Sequence, residues 1–157
     1  MISKSELLKG RDKLYPDDYT QEISDNLDKL LVPMNQVRTE YAIPMTVNSG
    51  WRSPEENAST PGAAKHSKHM SGLACDISDP DGALWKWILE HLALMQELGL
   101  YFEDKRWTPT WVHFQLGGPK SGHRIFVPDT SRAKDPDIWD GVYDHSFDGD
   151  AAPQIQS

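Results

Sequence analysis

The chain has 157 residues, room for one hydrophobic core and too little for two full-size domains. Its 16 Lys and Arg against 24 Asp and Glu give a formal charge of -8, which argues against a phosphate-backbone binder working through a basic face, so nucleic acid is not an expected partner. A hydrophobic fraction of 38% excludes wholesale disorder, and a single cysteine excludes an internal disulfide and the paired-cysteine zinc and redox motifs.

The first ten residues, Met1 to Gly10, lack the apolar segment and small-residue cleavage site of a signal peptide, so the chain is expected in the cytoplasm of the cell that makes it. From Thr20 to Tyr41 the apolar positions Ile23, Leu27, Leu30, Leu31, Met34, Val37 and Tyr41 recur at three- and four-residue steps. That spacing predicts an amphipathic helix with Thr20 as N-cap, and Pro33 is expected to kink or split it. Ile43 to Ser49 alternates, Met45 and Val47 against Thr46 and Asn48, and reads as a half-covered strand ended by Gly50. Leu73 to Ile77 is a second strand. Leu84 to Leu98 is a second helix whose Leu84, Trp87, Ile88, His91, Leu92, Met95 and Leu98 share one stripe, with His91 at the core edge. Two further strands, Leu100 to Glu103 and Trp111 to Leu116, flank a polar, proline-containing loop, and a last one spans Arg124 to Val127. No run approaches the ~20 apolar residues of a membrane span, so no membrane insertion is expected.

This order predicts a small α+β fold, an antiparallel sheet covered on one face by helices. Residues 1–128 are expected to form the domain and 129–157 an acidic tail. Between Asp129 and Asp150, seven Asp stand against only Arg132 and Lys134, a balance of 2 minus 7, or -5. A solvated segment is the bland reading of that charge and an acidic binding arm the alternative. Ile138, Trp139, Val142, Tyr143 and Phe147 predict that part of the tail packs back on the domain.

The densest polar cluster runs from Lys65 to Ile77. Here His69 enters a turn, Gly72 permits a sharp bend, and Asp76 emerges from the following strand. If Leu73, Cys75 and Ile77 face the core, Asp76 faces the loop bearing His69. The same parity separates Val112, Phe114 and Leu116 from Trp111, His113 and Gln115, and Leu100 and Phe102 from Tyr101 and Glu103. A one-residue slip would turn every side chain over, so the apolar pattern places His113 and Glu103 together on the opposite face, where Asp76 can meet them with Asn48 nearby on the first strand. Two imidazoles and a carboxylate leave a fourth tetrahedral position open, the pattern of catalytic zinc. Zinc lowers the pKa of a coordinated water to near ~7, and Glu103 is placed to take its proton. Spacing alone does not separate this from two histidines and an aspartate that merely lie at the surface or core edge.

The run Ser49-Gly50-Trp51-Arg52-Ser53-Pro54-Glu55-Glu56-Asn57, then Ser67-Lys68-His69-Met70-Ser71-Gly72-Leu73-Ala74-Cys75-Asp76-Ile77, then Trp111-Val112-His113, resembles the zinc D-alanyl-D-alanine peptidase family. That family includes VanY-like carboxypeptidases and bacteriophage L-alanyl-D-glutamate endolysins, and shares its fold with the hedgehog signalling domain. The likeness spans roughly Leu27 to Leu116. It implies zinc held by His69, Asp76 and His113, the zinc lying on the sheet face away from the helices. It further implies Arg52 on the substrate carboxylate or developing oxyanion, and Ser67 at the site rim. A guanidinium suits an anionic peptide because it binds a carboxylate through two parallel hydrogen bonds. Anchoring its own loop is the rival role for Arg52.

Many members carry a carboxylate three residues before the last histidine as general base, and here that position is Thr110. Glu103 from the neighbouring strand is the first substitute and Asp104 from the loop the second. His66 and His123 read as solvated loop residues, and Cys75 as a small buried thiol. Trp51, Trp107 and Trp111 either wall a substrate groove or pack in the core. The function implied is a monomeric zinc peptidase acting on bacterial peptidoglycan stem peptides, as a D,D-carboxypeptidase or an L-alanyl-D-glutamate endopeptidase. The missing signal peptide points to a bacteriophage enzyme that reaches the wall after release or as part of a virion. The alternative is a non-catalytic virion or binding module stabilised by zinc.

Overall fold

The computed structural model describes residues 1–61, 63, 66–119 and 122–127. The acidic tail expected at 129–157 lies outside them. The chain divides into two compact units, Met1–Ser78 and Asp79–Ser157. Both units combine helices with strands, so the fold class is α+β as expected.

The first unit opens with two short helices that periodicity did not reveal, α1 (Lys4–Leu8) and α2 (Arg11–Leu14). In α1, Ser3 and Glu6 form a reciprocal capping box, which starts a helix too short to carry a stripe. The long helix α3 (Gln21–Tyr41) begins where Thr20 Oγ1 accepts the Ile23 N–H at 3.2 Å. Its Leu27, Leu30, Met34 and Val37 are fully buried. Of the two outcomes expected at Pro33, a kink or a split, the split does not occur. Proline deletes one backbone hydrogen bond, whereas the buried stripe continues on both sides of it and Pro33 is itself buried.

Strand β1 (Val47–Ser49) is shorter than the alternating run that foretold it. Pro44 has no N–H to give a ladder, and Ile43 is exposed. β1 pairs antiparallel with β2 (Ala74–Ser78), and an irregularity in register sets Ser49 opposite Asp76. Behind β1, Ser53 and Glu56 form a second capping box that starts α4 (Pro54–Ser59). The N-terminal helices buttress this loop: Leu7 O accepts the Trp51 N–H at 2.9 Å, and Arg11 reaches Trp51 O and Glu56 Oε2, each at 2.8 Å. Trp51 is wholly buried, donates Nε1–H to Met70 O at 3.0 Å and packs on Tyr19, so it belongs to the core and not to a groove wall.

In the second unit the expected single helix is two, α5 (Ala83–Glu90) and α6 (Leu92–Glu97), parted at His91 with φ -129° and ψ 33°. His91 Nδ1 donates to Trp87 O at 2.7 Å, taking the carbonyl that a continuous helix would offer to the His91 N–H, which turns to Ile88 O instead. Its ring stacks on Trp87 at 4.2 Å, the core-edge position expected of it. Strands β3 (Leu100–Glu103) and β4 (Trp111–Leu116) lie where alternation put them and pair antiparallel, Leu100 with Leu116 and Phe102 with Phe114. Leu100, Phe102, Val112 and Phe114 are all fully buried. The last strand, β5 (Ile125–Phe126), runs parallel to β3, so the sheet is mixed and not antiparallel throughout. The chain reverses between β3 and β4 and again before β5, and β5 joins the free side of β3, where two reversals restore the original direction. Lys105 fixes the start of β4 by donating to Asp79 Oδ2 at 3.0 Å and to Trp111 O at 3.2 Å. Among the described residues no helix is long and apolar enough to cross a membrane.

Gly50 is the tightest point of the first unit, because a Cβ there would lie 2.1 Å from Leu7 O, a backbone atom that cannot swing away. Gly50→Ala is therefore expected to destabilise the protein by about 1–3 kcal/mol, seen as a lower midpoint in chemical denaturation. An unchanged midpoint would show that α1 is not seated on this loop.

Candidate metal centre

Asp76 and His69 come from the first unit. Asp76 sits in β2, and His69 in the turn that precedes it. Gly72 closes that turn at φ 80°, where an added Cβ would lie 2.9 Å from Ile23 O, and Asn26 holds it from α3 by donating to Ser71 O at 2.9 Å. Ser67 Oγ accepts the His69 N–H at 3.1 Å, so this hydroxyl shapes the turn. The His69 ring is 2% exposed, and its Nδ1 donates to Gly50 O at 2.7 Å. That bond needs a hydrogen on Nδ1, and Nε2 is the nitrogen that faces Asp76 Oδ1 at 3.3 Å.

Arg52 serves the same carboxylate from the other side. Its Nη2 lies 3.6 Å from Asp76 Oδ2, its Nη1 donates to Asn57 Oδ1 at 3.1 Å and its Nε to Ser49 Oγ at 3.4 Å. The Arg52 N–H also bonds His69 O at 3.1 Å. This guanidinium is only 8% exposed and orients Asp76 while tying down the loop of residues 49–57. The anchoring role weighed for it is thus visible in its bonds.

His113 comes from β4 in the second unit and is buried. The register that pairs Phe102 with Phe114 continues to Glu103 beside His113, and Glu103 Oε2 lies 4.0 Å from His113 Nε2. The parity argument therefore places these two side chains on one face correctly. His113 Nε2 also meets Gln115 Oε1 at 2.8 Å.

The donor set fits a metal ion. With Nδ1–H given to Gly50 O, a neutral His69 turns its Nε2 lone pair toward Asp76 Oδ1, and a cation placed between the two would be held by both. Two imidazoles and one carboxylate are the ligands that zinc takes when it keeps a position open for chemistry. Cys75 contributes nothing as a thiolate: burial first, and the neighbouring Asp76 charge second, push its thiol well above the ordinary range.

Several other sequence candidates stand apart from this cluster. Asp104 is fully buried, and its carboxylate accepts from Arg106 Nη2 at 2.6 Å and from the Arg106 N–H at 2.9 Å, starting the 3-10 turn Lys105–Trp107. Thr110 is exposed and His66 is exposed, while Trp107, Trp111 and His123 are half-buried. Gln115, Asn57 and the Gly50 carbonyl were not singled out from sequence. Gln115 was detectable, since it lies two residues beyond His113 on the same strand face; Asn57 and a backbone oxygen carried no such signal.

The chain is an α+β protein in whose first unit His69 and Asp76 face one another as candidate metal ligands. The chain belongs to the peptidase M15 family, whose profile matches residues 8–109. It is similar to the L-Ala D-Glu endopeptidase ChiX of Serratia marcescens, with a TM-score of 0.42 and 21% identity over 63% of this chain and 89% of that one. No curated protein matches it.

Loss of one protein ligand leaves too few to compete with water. His69→Ala, Asp76→Ala and His113→Ala are each expected to abolish tight zinc binding in competition with a chromophoric chelator, whereas His66→Ala and His123→Ala retain it. Near-stoichiometric zinc in His113→Ala would remove the site as drawn.

Proposed function

We propose that the protein is a zinc-dependent peptidase that cleaves peptidoglycan stem peptides. The observation that carries this reading is the buried pair of His69 Nε2 and Asp76 Oδ1, 3.3 Å apart, in a chain of the peptidase M15 family. His69, Asp76 and His113 would hold the zinc, which when bound supplies Lewis acidity to the scissile carbonyl and to water. The chain's own groups divide the remaining work. Glu103, half-buried beside His113, takes the proton of the attacking water and returns it to the leaving amine. Arg52 holds Asp76 in its ligating orientation and presents a fixed positive charge to the anionic peptide or the developing oxyanion. Ser67 lies at the rim, in the turn that carries His69, and the half-buried Trp111 offers a wall at the start of β4.

A second reading, a non-catalytic module with zinc as a staple, is favoured by one observation. Thr110 occupies the position where many relatives bear a carboxylate, and it is exposed. Zinc-loaded protein incubated with purified peptidoglycan, followed by mass spectrometry of the muropeptides, separates the two. Loss of a terminal D-alanine identifies a carboxypeptidase, and a cut between L-alanine and D-glutamate an endopeptidase. No new amino group from any wall chemotype establishes the non-catalytic module.

Glu103→Gln tests the assignment of the base. Glutamine is nearly isosteric and Glu103 is no ligand, so zinc content and thermal stability should hold while turnover falls ~10²- to 10⁴-fold. Turnover within a few-fold of the parent would move the base elsewhere.

A further inference from the structure

Gln115 stands in an unusual place. It is 5% exposed, on the same face of β4 as His113, and its amide has only one orientation that satisfies both ends. Gln115 Nε2 donates to Gly117 O at 3.0 Å, so Oε1 is the atom turned toward His113 Nε2 at 2.8 Å. An amide oxygen can only accept, so His113 Nε2 must carry the hydrogen. In a neutral imidazole the lone pair is then on Nδ1. Glu103 Oε2 approaches the same Nε2 but stops at 4.0 Å, beyond hydrogen-bonding reach.

We propose that Gln115 is a positioning residue that fixes the tautomer of His113, so that Nδ1 is the nitrogen offered to the metal, and that keeps the Glu103 carboxylate from being taken up by His113. The inference rests on the metal site argued above. Histidine ligands commonly have the second ring nitrogen held by a carboxylate, a backbone carbonyl or water. His69 follows that pattern through Gly50 O, and His113 follows it through a side-chain amide. The neutrality of the amide matters. A carboxylate at position 115 would place a second negative charge beside Glu103, whereas glutamine orients the ring and adds none. The two histidines are thereby set in opposite tautomers, His69 presenting Nε2 and His113 presenting Nδ1, and Glu103 is left to act on water.

The test begins with the metal-free wild-type chain labelled with 15N at histidine. Long-range nitrogen–proton correlation spectra should show His113 as the Nε2–H tautomer and His69 as the Nδ1–H tautomer. Gln115→Met keeps the length of the side chain and removes the acceptor. It should give His113 a mixed tautomer population and lower zinc affinity ~10- to 100-fold, with His69 unchanged. Gln115→Glu restores an acceptor and should restore zinc affinity and the Nε2–H tautomer. If Gln115→Met does not fold, Gln115→Asn, which withdraws the same acceptor by one methylene, is expected to show the same two changes. His113 as Nδ1–H in the wild-type chain overturns this inference whatever zinc does, and so does wild-type zinc affinity in Gln115→Met. Failure of the wild-type chain to bind zinc overturns the metal site on which the inference rests, independently of the tautomer.

Discussion

A buried imidazole and a buried carboxylate facing one another are the constraint on which the site depends. His69 Nδ1 is committed to the Gly50 carbonyl, so its Nε2 is the nitrogen that meets Asp76 Oδ1 at 3.3 Å. Burial removes the water that would otherwise separate them, so a cation placed between them would be bound by both. Around this pair the loop of residues 49–57 acts as a frame. Gly50 gives the carbonyl, Ser49 and Asn57 hold Arg52, and Arg52 in turn holds the outer oxygen of Asp76. The frame is itself held from behind by α1 and α2 through Leu7 O and Arg11. The N-terminal residues therefore contribute to the site without reaching it.

The surroundings of His113 in the second unit are built on different physics. The paired strands β3 and β4 place His113, Gln115 and Glu103 on one face because Phe102 and Phe114 fill the other, with ring centroids 5.1 Å apart. Strand alternation sets the direction of these polar groups, and burial of the aromatic layer fixes the register against slippage. Lys105, Asp79 and the Trp111 carbonyl then pin the first residue of β4. Rigid strands carry His113, and a braced turn carries His69.

What was legible in the sequence follows from this difference. β3 and β4 were readable to the residue because each alternates without proline or glycine, and the same alternation put His113 beside Glu103. His69 and Asp76 stood out through the polar cluster around Gly72 and through the family likeness. Features decided by a single competing bond were not readable. The helix break depends on the His91 ring winning the Trp87 carbonyl, which a hydrophobic stripe cannot show. The continuity of α3 through Pro33 depends on burial on both sides of the proline. The parallel direction of β5 depends on which edge of β3 it joins, and that is set by tertiary packing. Arg52 could be named as important, yet its partners Asn57 and Ser49 become evident only when the loop is folded.

The central claim is one metal site made of two imidazoles and an aspartate, with no sulfur. X-ray absorption at the zinc edge of the stoichiometrically loaded protein tests it most directly, since zinc–nitrogen and zinc–oxygen distances of about 2.0–2.2 Å separate from zinc–sulfur at about 2.3 Å. The account predicts a four-coordinate nitrogen and oxygen shell with outer-shell scattering from two imidazole rings. A shell containing sulfur, which only Cys75 and the methionines could supply, or one lacking two imidazoles, would contradict it.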